Sequence, residues 1–235
     1  MGKYYFLYLL RNEVDRMNTS DYIVPLFATC EKESLLNHCI KINELCFVGN
    51  GFFVENYFIT AAHVIREGID YYFEWKNRRV ELKDLELVEI RELEYDESGK
   101  PYGHHGSDKG DVAIFRFEGV HSPFRLSNTT PQPGMSFHCD FYHKKQYPKE
   151  EGHTNIFFWR TEGHLVIEDD DPAENFFGMY MNPVHPEGGG SSGSPLYEEN
   201  IVYGILHGGG PIEHPEVCVF NSASFIRRLL HYQDR

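Results

Sequence analysis

The chain has 235 residues and a formal net charge of −14, a length that one large all-β domain can fill while burying a sizeable core. Its negative field works against binding a phosphate backbone, so a nucleic-acid partner is not expected, and no apolar run approaches the roughly 20 residues of a membrane span. Its 18 Phe and 15 Tyr suit strands curled around barrel interiors better than helices.

Along the chain, a leader covers residues 1–20. Its apolar stretch Tyr4 to Leu10 is short, and Arg11-Asn12-Glu13 follows where a secretory cleavage site would need small residues, so no signal peptide is read there. Strand composition predicts β-strands at Tyr22 to Thr29, Leu45 to Val54, Tyr57 to Thr60, Tyr71 to Trp75, Leu85 to Ile90 and Val112 to Phe117. The turn-rich stretch Ser127-Asn128-Thr129-Thr130-Pro131-Gln132-Pro133-Gly134 then separates a second set. That set runs at Ser136 to Tyr142, Ile156 to Trp159, Leu165 to Ile167, Phe176 to Met181, Pro195 to Tyr197, Val202 to His207 and Val217 to Asn221. From Ser222 an amphipathic helix closes the chain, capped by Ser or Asn. The expected organisation is a single all-β domain of two antiparallel six-stranded β-barrels, residues 21–127 and 135–221, with a C-terminal α-helix at 222–235.

Three segments carry chemistry. Gly188-Gly189-Gly190-Ser191-Ser192-Gly193-Ser194-Pro195 is a small-residue turn bearing serines, and glycines allow a nucleophile to project while nearby backbone N–H groups face a developing oxyanion. Tyr57-Phe58-Ile59-Thr60-Ala61-Ala62-His63-Val64 ends the second arm of a predicted hairpin, its small Ala pair leaving room beside the histidine. Lys109-Gly110-Asp111-Val112-Ala113-Ile114 places an acid at the mouth of an apolar strand. Asp108 is a rival acid in the same loop; Asp111 is preferred because it abuts the strand that would hold it rigid and partly buried. A serine hydroxyl needs an imidazole to take its proton and return it to the leaving group, and a carboxylate to stabilise the imidazolium between.

Taken together and in this order, these runs resemble the trypsin-like (chymotrypsin-fold) serine peptidases, from about Tyr22 to the C-terminal helix. The resemblance implies a serine endopeptidase acting through an acyl-enzyme. Ser192 would be the nucleophile, His63 the general base and then acid, and Asp111 the group that fixes the imidazole tautomer. Gly190 and Ser192 would supply the oxyanion-hole N–H groups. An α/β-hydrolase esterase needs Gly-x-Ser-x-Gly between strand and helix with the acid and His after the Ser, and neither order nor context fits. The same fold with a blocked or collapsed site would be a silent peptide-binding module, a reading the intact set of motifs argues against.

Within that resemblance, Ser191 stands where zymogens keep an Asp for the freed N-terminus, and a hydroxyl cannot compensate a buried ammonium. No Ile-Val-Gly-Gly start is present either. In motif style the chain is therefore similar to bacterial HtrA proteases and glutamyl endopeptidases. A polypeptide substrate is expected, together with an activating protein partner that restrains the enzyme otherwise. Glu187, just before the glycine turn, is placed to pair with Lys or Arg, making cleavage after basic residues the first expectation. The alternative is acidic specificity, because glutamyl endopeptidases use a His on the strand corresponding to Val202 to Gly210. Here His207 falls one residue later, which reverses its face. Leu206, His207, Gly208 and Gly209 would line the substrate strand, the glycines leaving an open entrance.

The five cysteines, Cys30, Cys39, Cys46, Cys139 and Cys218, show no paired metal or redox spacing. Val64 also takes the place where secreted animal members carry a Cys. Buried free thiols are expected for most of the five, with a cytoplasmic location. Glu168-Asp169-Asp170-Asp171 lacks the alternating spacing of a calcium loop, and His104-His105 stands without a His-Glu-x-x-His, so neither a metal nor a cofactor is expected.

Overall fold

Alternation on apolar strands builds the first sheet. A computed structural model describes residues 19–29, 40–42, 45–91, 110–129, 131–146, 154–166, 175–180, 190–209 and 217–231. Eight strands form this sheet: β1 (Ile23–Ala28), β2 (Ile40–Ile42), β3 (Leu45–Val54), β4 (Tyr57–Thr60), β5 (Tyr71–Trp75), β6 (Arg78–Glu81), β7 (Glu86–Arg91) and β8 (Val112–Arg116). Their hydrogen-bonded order is β6-β5-β1-β3-β4-β8-β7, with β2 added on β3. On β8, Ala113 and Phe115 face the interior of this sheet with Phe53, Phe58 and Phe73, while Val112 and Ile114 face the opposite apolar layer with Phe52 and Ile59. Burial on both faces explains why the segment reads as an unbroken apolar run.

The second sheet contains β9 (Arg125–Leu126), β10 (Ser136–Gln146), β11 (Thr154–Val166), β12 (Asn175–Tyr180), β13 (Pro195–Glu198), β14 (Ile201–Gly209) and β15 (Val217–Ser222). Pairing of β13 with both β10 and β14 closes β13-β10-β11-β12-β15-β14 into a ring. Phe137, Cys139, Phe141, Leu165, Leu196, Leu206 and Phe220 fill its interior.

The strand counts differ from six and six. The second sheet has its six-stranded ring plus β9, which pairs parallel with β14; the chain thus joins the second sheet by Arg125, before the predicted boundary at residue 127. The first gains β2 and β6. Strand β6, rich in charge, is held by a two-residue turn in which Lys76 and Asn77 both take positive φ (48° and 62°), a hairpin geometry that Asn tolerates. Arg79 lies 3.5 Å over the Tyr72 ring. A further difference is β11, a single strand where two were expected. Its polar centre, Arg160-Thr161-Glu162, reads as an interruption, yet each residue finds a partner on β10: Arg160 with Asp140, the Thr161 hydroxyl with the Cys139 carbonyl at 2.7 Å, and Glu162 with His138 at 3.7 Å.

Helix α1 (Ala223–His231) buries Phe225, Ile226 and Leu229 between the sheets, against Ile114, Val202 and Ile205. Ser222 Oγ accepts the Phe225 N–H at 3.2 Å, the expected N-cap bond. Asp140 is fully buried; it accepts from two donors of Arg160 (Nε, shared between both oxygens at 3.1 and 3.2 Å, and Nη2 at 2.8 Å) and from the Tyr197 hydroxyl at 2.7 Å. That hydroxyl also meets Thr19 Oγ1 at 3.1 Å, joining the segment before β1 to the second sheet. Burial, with the Asp140 carboxylate beside it, pushes the Tyr197 phenol up.

Among the cysteines, Cys139 and Cys218 are buried and take part in no disulfide. Cys46, by contrast, is disulfide-bonded. Cys30, Cys39, His104-His105, Glu168 to Asp171 and residues 1–18 lie outside the described residues.

Candidate active site

Each functional side chain stands where a strand ends. His63 follows β4 on a single 3-10 turn (Ala62–Val64), and Ala61 and Ala62 before it are fully buried. Larger residues there would have no space and would displace the imidazole. Asp111 immediately precedes β8 and is 1% exposed, whereas the His63 side chain is 38% exposed and so reaches solvent. Ser192 lies in the turn that leads into β13. His63 and Asp111 therefore come from the first sheet and Ser192 from the second.

The three side chains form one chain of hydrogen bonds. Asp111 Oδ2 pairs with His63 Nδ1, and Asp111 Oδ1 accepts the His63 backbone N–H at 2.7 Å. His63 Nε2 lies 3.0 Å from Ser192 Oγ. With the carboxylate holding the proton on Nδ1, Nε2 is left as the acceptor facing the hydroxyl. Asp111 is the acid that meets His63, and its rival Asp108 lies outside the described residues.

The carboxylate is itself supported. The Asp111 N–H donates to Asn221 Oδ1 at 2.8 Å, and Asn221, at the end of β15, is fully buried. A Cβ at Gly110 would sit 2.1 Å from the Phe225 ring of α1, so the backbone entering Asp111 is pressed against the C-terminal helix. Sequence reasoning gave Asn221 no role at the site, placing it at the end of a strand and beside a helix cap; no local pattern announces a bond to a residue so far away in the chain.

Two glycines shape the nucleophile turn. Gly190 has φ +115° and Gly193 φ +86°, both strained for any residue with a Cβ. At Gly193 a Cβ would also lie 2.0 Å from the Asn50 carbonyl oxygen. The Gly193 N–H donates to the Leu206 carbonyl at 2.7 Å, and the Leu206 N–H donates to the Ser194 carbonyl at 2.8 Å, so β14 runs directly beneath the turn. The Ser191 carbonyl accepts from both the N–H and the hydroxyl of Ser194. Because that carbonyl shares its peptide plane with the Ser192 N–H, the N–H is aimed to the opposite side. Among the described residues, neither Gly190 nor Ser192 has an acceptor for its N–H, which leaves both donors available to an oxyanion.

Of the other predicted site residues, Leu206 turns its side chain into the second-barrel interior and reaches the turn through its backbone. His207 sits at an irregularity in the β14–β15 pairing. Its Nε2 is buried with no hydrogen-bond partner among the described residues. Burial pushes this imidazole down to about 4; the Asp111 carboxylate opposes the shift and His63 adds to it. A Cβ at Gly208 would meet nothing within 4 Å, so the strand is open there. Gly209 ends β14 opposite Cys218. Glu187 lies outside the described residues. Among the described residues, no group of three or more His, Cys, Asp or Glu could hold a metal ion.

Two curled antiparallel sheets with a Ser-His-Asp constellation between them define the chymotrypsin-like fold. Solved structures share it. Neuropsin, a serine protease of mouse brain, superposes with TM-score 0.60 at 15% identity, covering 94% of this chain and 98% of its own. A protease of M. tuberculosis in its active form gives TM-score 0.54 at 16% identity over 91% of this chain and 81% of its own. Human heparin binding protein gives 0.58 at 14% identity over 90% of each chain. No family model and no curated protein matches the sequence. Since a protein named for binding heparin stands beside proteases at equal likeness, the fold alone does not assign catalysis, which must be argued from the site.

Proposed function

We propose that this chain is a serine endopeptidase. The observation that carries the reading is the continuous Asp111–His63–Ser192 hydrogen-bond chain, with His63 Nε2 3.0 Å from Ser192 Oγ. Ser192 Oγ attacks a peptide carbonyl while Nε2 takes its proton, giving a tetrahedral intermediate whose oxyanion lies against the Gly190 and Ser192 N–H groups. Collapse returns the proton from Nε2 to the leaving amine and leaves an acyl-serine, which water hydrolyses by the same route in reverse roles. Asp111 stabilises the imidazolium in each half, and its near-complete burial strengthens that attraction. Each oxyanion donor is worth roughly 3–4 kcal/mol in comparable sites.

Cleavage after basic residues is the leading preference, resting on the place of Glu187 before the glycine turn. The acidic alternative requires the His207 imidazole to face the substrate. Its buried Nε2, in the field of Asp111 and His63, favours the view that it serves the triad side instead.

Treatment with a fluorophosphonate followed by intact-protein mass spectrometry tests the reading. One adduct is expected on the native chain and none on Ser192→Ala, with a peptide library then separating basic from acidic preference. Absence of any adduct on the native chain would favour a silent binding module or a partner-activated enzyme.

A further inference from the structure

Asn50 lies within β3 and is fully buried, in a strand whose other inward positions are apolar. A primary amide so placed must have both its carbonyl and its NH2 satisfied to be tolerated. Asn50 Oδ1 accepts the Tyr142 N–H at 2.7 Å, and Nδ2 donates to the Tyr142 carbonyl at 3.1 Å. These two bonds imitate a backbone pair and join β3 of the first sheet to β10 of the second. The remaining Nδ2 proton goes to the Gly190 carbonyl at 2.6 Å.

The backbone of the same residue reaches the other side of the turn. Its N–H donates to the Ser192 carbonyl at 2.8 Å, and its own carbonyl accepts the Thr60 hydroxyl at 2.6 Å. One residue thus grips the carbonyls on either side of Ser191. Glycine at φ +115° has no side chain to hold its peptide planes, so Gly190 needs an external anchor to stay in a single orientation. The Phe47 ring, 2.6 Å from where a Gly190 Cβ would sit, blocks movement on one side. The Asn50 amide supplies the pull on the other.

From this geometry we infer that Asn50 is a positioning residue for the oxyanion hole, holding the Gly190–Ser192 turn ready before substrate arrives. The inference rests on the peptidase reading of the site. It differs from a purely structural role in what it predicts, because an amide that merely joins two sheets would affect stability and leave turnover per folded site unchanged.

The experiment compares native chain, Asn50→Asp and Asn50→Ser, with active sites counted by fluorophosphonate titration. Asn50→Asp keeps the size and the acceptor but, ionised, can donate to neither the Gly190 nor the Tyr142 carbonyl, and kcat should fall on the order of 100-fold, as for loss of an oxyanion-hole donor, with KM changed by less than about threefold. Affinity for a peptide boronate, which forms a tetrahedral adduct on the serine, should fall in parallel with kcat. Asn50→Ser retains one donor in a smaller side chain and should fall between the two; it also serves as the test should the Asp variant fail to fold. Turnover by the native chain together with kcat and boronate affinity in the folded variants within about twofold of native would overturn the inference and leave the peptidase reading standing. A native chain that neither labels nor hydrolyses peptides would overturn this inference, because the turn would not be held ready in it, whether the fold is then a silent binding module or an enzyme that a partner must activate.

Discussion

At the scale of the residue, burial of His207 makes folding stability depend on pH. Its imidazole titrates near 6.5 when exposed and is pushed down to about 4 in the folded chain, chiefly by burial. Between those values the unfolded chain binds the extra proton, so stability rises with pH across the window. The contribution is complete above about pH 6.5 and is lost as pH falls toward 4, on the order of 3 kcal/mol at most. Thermal melts from pH 4 to 7 should show a steeper fall in Tm for the native chain than for His207→Gln. Parallel curves would mean that His207 titrates as an exposed residue. The members of the Asp111–His63–Ser192 hydrogen-bond chain could be singled out in the sequence because nucleophilic chemistry would demand those residue types in tight, small-residue or strand-end settings. Asn50 and Asn221 could not. Their partners are backbone groups 92, 140 and 110 residues away, and a backbone group carries no sequence signal.

At the scale of the element, the β10–β11 pair shows how a polar stretch persists inside a long strand. Each polar residue at the centre of β11 faces a polar partner across the ladder, by hydrogen bond at Arg160 and Thr161 and at ion-pair distance at Glu162, so the apparent break in hydrophobic pattern is a set of cross-strand pairs. Asp140 is the sensitive member, fully buried while its Arg160 partner is 51% exposed. Arg160→Met should leave the carboxylate with only the Tyr197 hydroxyl. The cost would be about 2–3 kcal/mol, below the usual figure for a fully buried pair because the guanidinium reaches solvent. Tm should drop by roughly 5–10 °C. Replacing both partners, Asp140→Leu with Arg160→Met, should recover most of the loss; a double variant no more stable than the single one would show that the pair itself stabilises the strand. Elements with strong apolar patterns, such as β3, β4 and β5, were legible to the residue. Strand β6 was hidden by its charge, and Arg125–Leu126 was too short to register.

At the scale of the whole molecule, the two sheets meet over an apolar layer that includes Ile23, Phe52 and Ile114 from one side and Tyr197, Val202 and Ile205 from the other, with Phe225 and Ile226 of α1 wedged among them. The division of labour was readable in advance, because a turn-rich stretch separates the segment bearing His63 and Asp111 from the one bearing Ser192. What could not be read was how the halves are locked: Asn50 reaches across to Tyr142, and Asn221 reaches back to Asp111.

On the proposed peptidase reading neither half holds a complete catalytic set, so hydrolysis would report that both are present and joined. A chain interrupted between Pro131 and Gly134 should give two inactive pieces whose mixture regains hydrolysis, with initial rates rising with the product of their concentrations until the apolar layer is saturated. Activity in either piece alone would contradict this arrangement. Seen this way the molecule is a two-input gate, and the apolar layer between its sheets sets how tightly the inputs must bind before the output appears.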